Sequence, residues 1–117
     1  MQDFLKTMIR RASSDKKRIV LPEGGDIRTL EASRKILDLG IAELTILGNR
    51  DNILTFDDTL NRAQILDPQD CEIAGILSDE LYQIRKEKGL TQTEAADLVK
   101  DPLYFGVMLV KTGRADG

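Results

Sequence analysis

The chain has 117 residues, of which 17 are basic and 20 acidic, for a formal net charge of -3, with 41% hydrophobic and 32% charged residues. It is long enough for one globular domain with a real core; its acidic balance argues against a nucleic-acid partner, and no secretory signal or membrane-spanning apolar run is present. With no histidine and a single cysteine, imidazole base chemistry, His-containing metal sites and an internal disulfide are excluded, no metal site is expected, and a reducing, cytoplasmic location is expected.

In chain order, residues 3–12 place Phe4, Leu5, Met8 and Ile9 on one stripe and predict a helix. Residues 13–17 are a polar connector, and the basic cluster of Arg10, Arg11, Lys16, Lys17 and Arg18 reads as solvated surface. Residues 18–21 are β-formers suited to a buried parallel strand, stopped by Pro22, which has no N–H for the ladder. Gly24 and Gly25 are expected to permit a sharp reversal, and Asp26 to cap a helix over residues 27–39 that ends at Gly40. Junctions of this kind form the carboxyl edge of α/β sheets, where ligands bind, although Gly-Gly with a capping Asp is also ordinary turn punctuation. The helix is apolar in two sectors, Ile27, Leu30 and Leu37 on one and Ala32, Ile36 and Leu39 on the other. That pattern predicts packing between the sheet and another helix.

Residues 43–47 predict a second strand closed by Gly48-Asn49, and strand, helix, strand with short turns makes a parallel βαβ unit. Over residues 49–63 the helical spacing of Ile53, Phe56 and Leu60 is interrupted by Asp57-Asp58-Thr59, which predicts a short helix and a loop. Residues 64–66 predict a third strand. Ile73, Ile76, Leu77, Leu81 and Ile84 then form an amphipathic stripe ending at Gly89, and Thr91 with Glu94 matches a capping box. Lone Cys71 stands among Asp67, Asp70 and Glu72, surroundings that do not favour a thiolate nucleophile. Asp101-Pro102 opens another helix with proline at its first position. Residues 103–110 are almost wholly apolar, which predicts a deeply buried helix with more apolar surface than one face hides. Gly113 ends it, and residues 114–117 resemble the entrance to another strand. The expectation is an amino-terminal fragment of a longer chain.

Three stretches resemble one family, phosphate acetyltransferase (phosphotransacetylase): residues 21–28 (Leu-Pro-Glu-Gly-Gly-Asp-Ile-Arg), the Ile46-Leu47-Gly48-Asn49 turn, and residues 104–117, from Tyr104-Phe105-Gly106 to Arg114-Ala115-Asp116-Gly117. The run Arg85-Lys86-Glu87-Lys88-Gly89, followed by Thr91 and Ala95-Ala96, is similar to the same family in the right order. Phosphate butyryltransferase and the acetyltransferase-like module of larger bacterial malic enzymes, which would respond to an acyl-CoA, are similar enough to be alternatives. A purely structural role in assembly is a third reading.

The resemblance implies an α/β, three-layer parallel-sheet domain of the isocitrate/isopropylmalate dehydrogenase-like kind, incomplete here, with residues 1–117 as the amino-terminal part of its first domain. It implies interconversion of acetyl-CoA and phosphate with acetyl phosphate and CoA, in a homo-oligomer, with coenzyme A as a substrate and no cofactor. The family's catalytic serine, aspartate and arginine belong to segments after Gly117, so no catalytic residue is named in this chain. Arg28 and Arg85 match family positions associated with CoA binding, and a forked guanidinium suits a phosphate anchor. For each, the alternative is a surface ion pair, Arg28 with Glu23 or Asp26, and Arg85 with Glu87 or a neighbouring acid. Glu23 and Asp26 also disfavour a bare phosphate at the glycine turn, so no phosphate cradle is expected at Gly24-Gly25.

Overall fold

The structure, a computed structural model, describes residues 2–117. Helix α1 (Gln2–Ser14) leads into strand β1 (Lys17–Leu21), α2 (Ile27–Leu39), β2 (Ala42–Leu47) and α3 (Arg50–Phe56). A 3-10 turn, Asp58–Arg62, then leads to β3 (Gln64–Leu66), α4 (Glu72–Arg85), a second 3-10 turn (Lys86–Lys88), α5 (Gln92–Leu98) and α6 (Pro102–Lys111). The sheet is parallel throughout in the order β1-β2-β3, with Ile19 opposite Leu44 and Ile46 opposite Ile65. The predicted parallel βαβ unit is therefore present, as is the third short strand.

Strand alternation divides the core into two. Leu44 and Ile46 of β2 point to one face, where they meet Leu30 of α2, Ile53 of α3 and Leu60. Leu47, one residue on, points to the other face and packs with Leu77 and Leu81 of α4, Val99, and Phe105 and Met108 of α6. Helices thus cover both faces, which is the three-layer α/β arrangement. Ile46 and Phe105 are wholly buried, and side chains of this size each stabilise by roughly 1.5–3 kcal/mol over leaving them in water. Across the first face Arg34 reaches Asp57 at 3.2 Å and Arg62 reaches Asp38 at 2.9 Å, tying α2 to the 3-10 turn.

Local end signals act as the residues demand. Gly40 takes the left-handed conformation and closes α2, Thr91 and Glu94 exchange hydrogen bonds at 3.1 Å, and Pro102 starts α6 behind the cap Asp101. The region over 49–63 resolves into a short helix and a 3-10 turn. Residues 114–117 do approach the sheet: the Asp116 and Gly117 N–H groups donate to the Arg18 carbonyl, and Val20 N–H donates to the Gly117 carbonyl. Donation to residue 18 and acceptance from residue 20 is the pattern of one parallel bridge on the outer edge of β1.

Burial departs from the periodicity in several helices. Phe105, Gly106, Met108 and Leu109 are buried in α6, yet Leu103, Val107 and Val110 on its other side are exposed. Ile76 and Ile84 of α4 lie outside the buried Leu77–Leu81 stripe. In α2 only Leu30 and Ser33 are fully buried, and Ile27 and Leu39 face out, so α2 is covered on one side rather than wedged between two layers. Phe4, Leu5 and Met8 of α1 are likewise exposed.

Candidate functional site

The carboxyl ends of β1 and β2 open into a crevice of about 1180 Å³. Its floor and one wall come from residues 22–28 and 47–49, and the other wall from the start of α6 at Asp101, Pro102 and Leu103. The glycine turn is shaped by the neighbouring strand. Gly24 N–H donates to the Leu47 carbonyl at 3.0 Å, and a Cβ on Gly24 would collide with that oxygen. Gly48, at φ 158°, lies against Gly24 in turn. Gly24 is therefore required by close backbone approach and not, as expected from the sequence, by a reversal of chain direction. Neither Gly24 nor Gly25 has a positive φ, and a Cβ on Gly25 would meet nothing within 4 Å.

Three helices begin at the crevice, and each start is already capped. Asp26 accepts from Arg28 N–H at 2.9 Å, Asn49 from Asn52 N–H at 3.0 Å and Asp101 from Leu103 N–H at 2.9 Å. With those donors in use and Glu23, Asp26 and Asp101 lining the crevice against Arg28, the site is no cradle for a bare phosphate. Its remaining lining is apolar, from Pro22, Ile27, Leu47, Pro102 and Leu103.

Arg28 is the rim cation. Its Nε donates to Asp26 Oδ1 at 3.2 Å and its Nη2 to Asp26 Oδ2 at 2.9 Å, while the side chain is 90% exposed. The hydrogen bonds from the Arg28 side chain, then from its backbone N–H, hold the Asp26 carboxyl below its ordinary value, and the same pairing raises the guanidinium. The ion pair considered from sequence is thus present, with Asp26 as partner.

Arg85 is elsewhere. Helix α4 leaves the carboxyl edge at Cys71, which shares a cleft with Asn49 and Leu66. By Glu80 it has reached Arg114, which lines a cleft with Lys16, Gly40 and Ala42 at the amino ends of the strands. Arg85 lies more than a helical turn beyond Glu80, at the far end of α4 from the crevice. It is exposed and forms no ion pair among the described residues. The structure does not bring Arg28 and Arg85 to one cavity. Asp101 and Leu103, visible in the sequence only as a cap and an apolar residue, are brought to the site instead; only the packing of α6 on the sheet reveals them.

The family model described as phosphate acetyl/butaryl transferase matches residues 3–117. Phosphate acetyltransferases of Thermoanaerobacterium thermosaccharolyticum and Acetivibrio thermocellus are each 44% identical over 116 residues, covering 97% of this chain and 35% of the relative. A solved phosphotransacetylase from Streptococcus pyogenes superposes with a TM-score of 0.86 at 28% identity, over all of this chain and 36% of that one. The chain spans about a third of the length of the relatives it matches.

Proposed function

This chain belongs to the phosphate acetyl/butaryl transferase family, and from that premise we propose that it serves reversible acyl transfer between coenzyme A and phosphate. In one direction the CoA thiol loses its proton to a base and its sulfur attacks the carbonyl carbon of acetyl phosphate. A C–S bond forms, the C–O bond to the phosphoryl group breaks, and phosphate leaves with the electron pair. The observation that carries the reading is the match to the family over residues 3–117, together with relatives named for this activity. Those names favour acetyl over butyryl transfer and over a malic enzyme module.

The share we assign to this chain is binding. Its crevice combines an apolar lining, for the arm of CoA, with Arg28 at the rim beside Glu23, Asp26 and Asp101, and the chain holds no histidine to act as base. Arg28 is the proposed anchor at the crevice. Arg85, placed apart and without an acid partner among the described residues, is a second and independent one. Cytoplasmic location and assembly as a homo-oligomer belong to the same proposal; among the described residues no helix is long and apolar enough to cross a membrane.

Calorimetric titration of the chain with CoA tests the binding share. Saturable binding, weakened about tenfold by Arg28→Ala, is the expected result; no heat at millimolar CoA would refute it. Formation of acetyl phosphate from acetyl-CoA and phosphate by the purified chain, above a no-protein control, would refute the division between binding and bond-making.

A further inference from the structure

Asp26 has more to do at the crevice than cap a helix. A guanidinium carries five N–H donors in a planar fork, and Asp26 engages one edge of the Arg28 fork through Nε and Nη2. Its Oδ1 also accepts the Arg28 backbone N–H at 2.9 Å, so the carboxylate grips Arg28 at backbone and side chain together. The adjacent end edge, made of Nη1 and the second Nη2 hydrogen, makes no hydrogen bond with any described residue. Capping alone does not explain this arrangement. Asn or Ser satisfies the same backbone N–H about as well, and only a carboxylate takes the two guanidinium donors as a charged, bidentate partner.

We infer that Asp26 is a positioning residue that holds the Arg28 guanidinium by one edge so that its other edge is presented to a CoA phosphate at the crevice rim. The inference rests on the reading of Arg28 as a CoA anchor. A competitor for Arg28 would occupy the edge the ligand needs; here the carboxylate and the phosphate take different edges of the delocalised cation. An arginine that is already held also loses less freedom when the ligand arrives than one free in solvent.

The test is CoA titration at constant ionic strength for the unaltered chain, Asp26→Asn, Arg28→Ala and the double variant. Asp26→Ser, which also caps, serves as a second replacement should Asp26→Asn fold poorly. Asp26→Asn, which still caps the helix, is expected to weaken CoA binding about three- to tenfold in a chain that remains folded. In the Arg28→Ala background the same change is expected to have no further effect, whereas a purely structural Asp26 would weaken binding in both. If Arg28→Ala weakens binding while Asp26→Asn leaves it unchanged or tightens it, the positioning role is overturned and the anchor stands. If Arg28→Ala leaves CoA affinity unchanged, or the unaltered chain binds no CoA, the anchor falls and the positioning role falls with it.

Discussion

The N–H of Gly24 and the carbonyl of Leu47 are 3.0 Å apart, and that hydrogen bond seats the β1–α2 turn directly on the end of β2. No side chain fits between them, because a Cβ on Gly24 would strike the Leu47 oxygen.

The two neighbouring glycines should therefore behave oppositely. Gly24→Ala must displace backbone against backbone and is expected to cost roughly 3 kcal/mol. Gly25→Ala adds a methyl to open space at an ordinary φ, so stability should stay level or rise by about 0.4–1 kcal/mol through a less flexible unfolded chain. Thermal melts of the two variants check this. Equal losses would show that the turn is held in some other way.

Arg18 and Asp116 carry a pH dependence. Hydrogen bonds from the Arg18 side chain, then from its backbone N–H, lower the Asp116 carboxyl from 3.8 to about 2. A carboxyl that is more acidic when folded stabilises above its unfolded value, and that contribution is lost as pH falls through its folded value. The melting temperature of Asp116→Asn should lie below that of the unaltered chain at neutral pH. The gap should close as pH drops from about 4 to about 2. A gap that stays constant over that range would remove Asp116 as the titrating group.

The outer face of α6 presents Leu103, Val107 and Val110, 66%, 55% and 38% exposed. The unaltered chain should self-associate or bind a hydrophobic dye. Replacing Leu103 and Val110 with Gln should abolish that behaviour while changing stability by no more than about 0.5 kcal/mol per site, since neither fills the core. Light scattering coupled to size exclusion reads the first effect, and urea melts the second. A strictly monomeric, dye-negative chain counts against it.

The two arginines stand on separate surfaces, so their contributions to CoA binding should be independent. Arg85→Ala is expected to remove CoA binding at its own surface and leave crevice binding in place, Arg85→Lys to recover part of that loss by keeping charge without the fork, and Arg28→Ala with Arg85→Ala to lose both components. A double variant no worse than either single one would mean that both act on one shared feature.

Much of the fold was legible residue by residue. Asp26, Gly40, the Thr91–Glu94 box and Pro102 mark helix ends by hydrogen bonds and dihedrals that span at most four residues, and the β1–α2–β2 unit follows from strand, helix and strand joined by short turns. The place of the carboxyl-edge crevice also followed, because parallel strands with glycine turns place their ends together, whereas Arg28 was singled out only by the family resemblance. Burial was less legible: Ile76 and Ile84 keep the spacing of a core stripe yet lie outside it.

By itself, then, the sequence determined the elements, their ends, the parallel sense of the first two strands and the family. Tertiary structure alone decided that Gly24 answers to Leu47, that α6 lends Asp101 and Leu103 to the crevice, that Leu103, Val107 and Val110 stay uncovered, and that Arg85 ends far from Arg28. The division has a physical cause. Caps, turns and periodicity are short-range interactions written in neighbouring residues, whereas close approach, coverage and the meeting of side chains depend on how whole elements pack across the sheet.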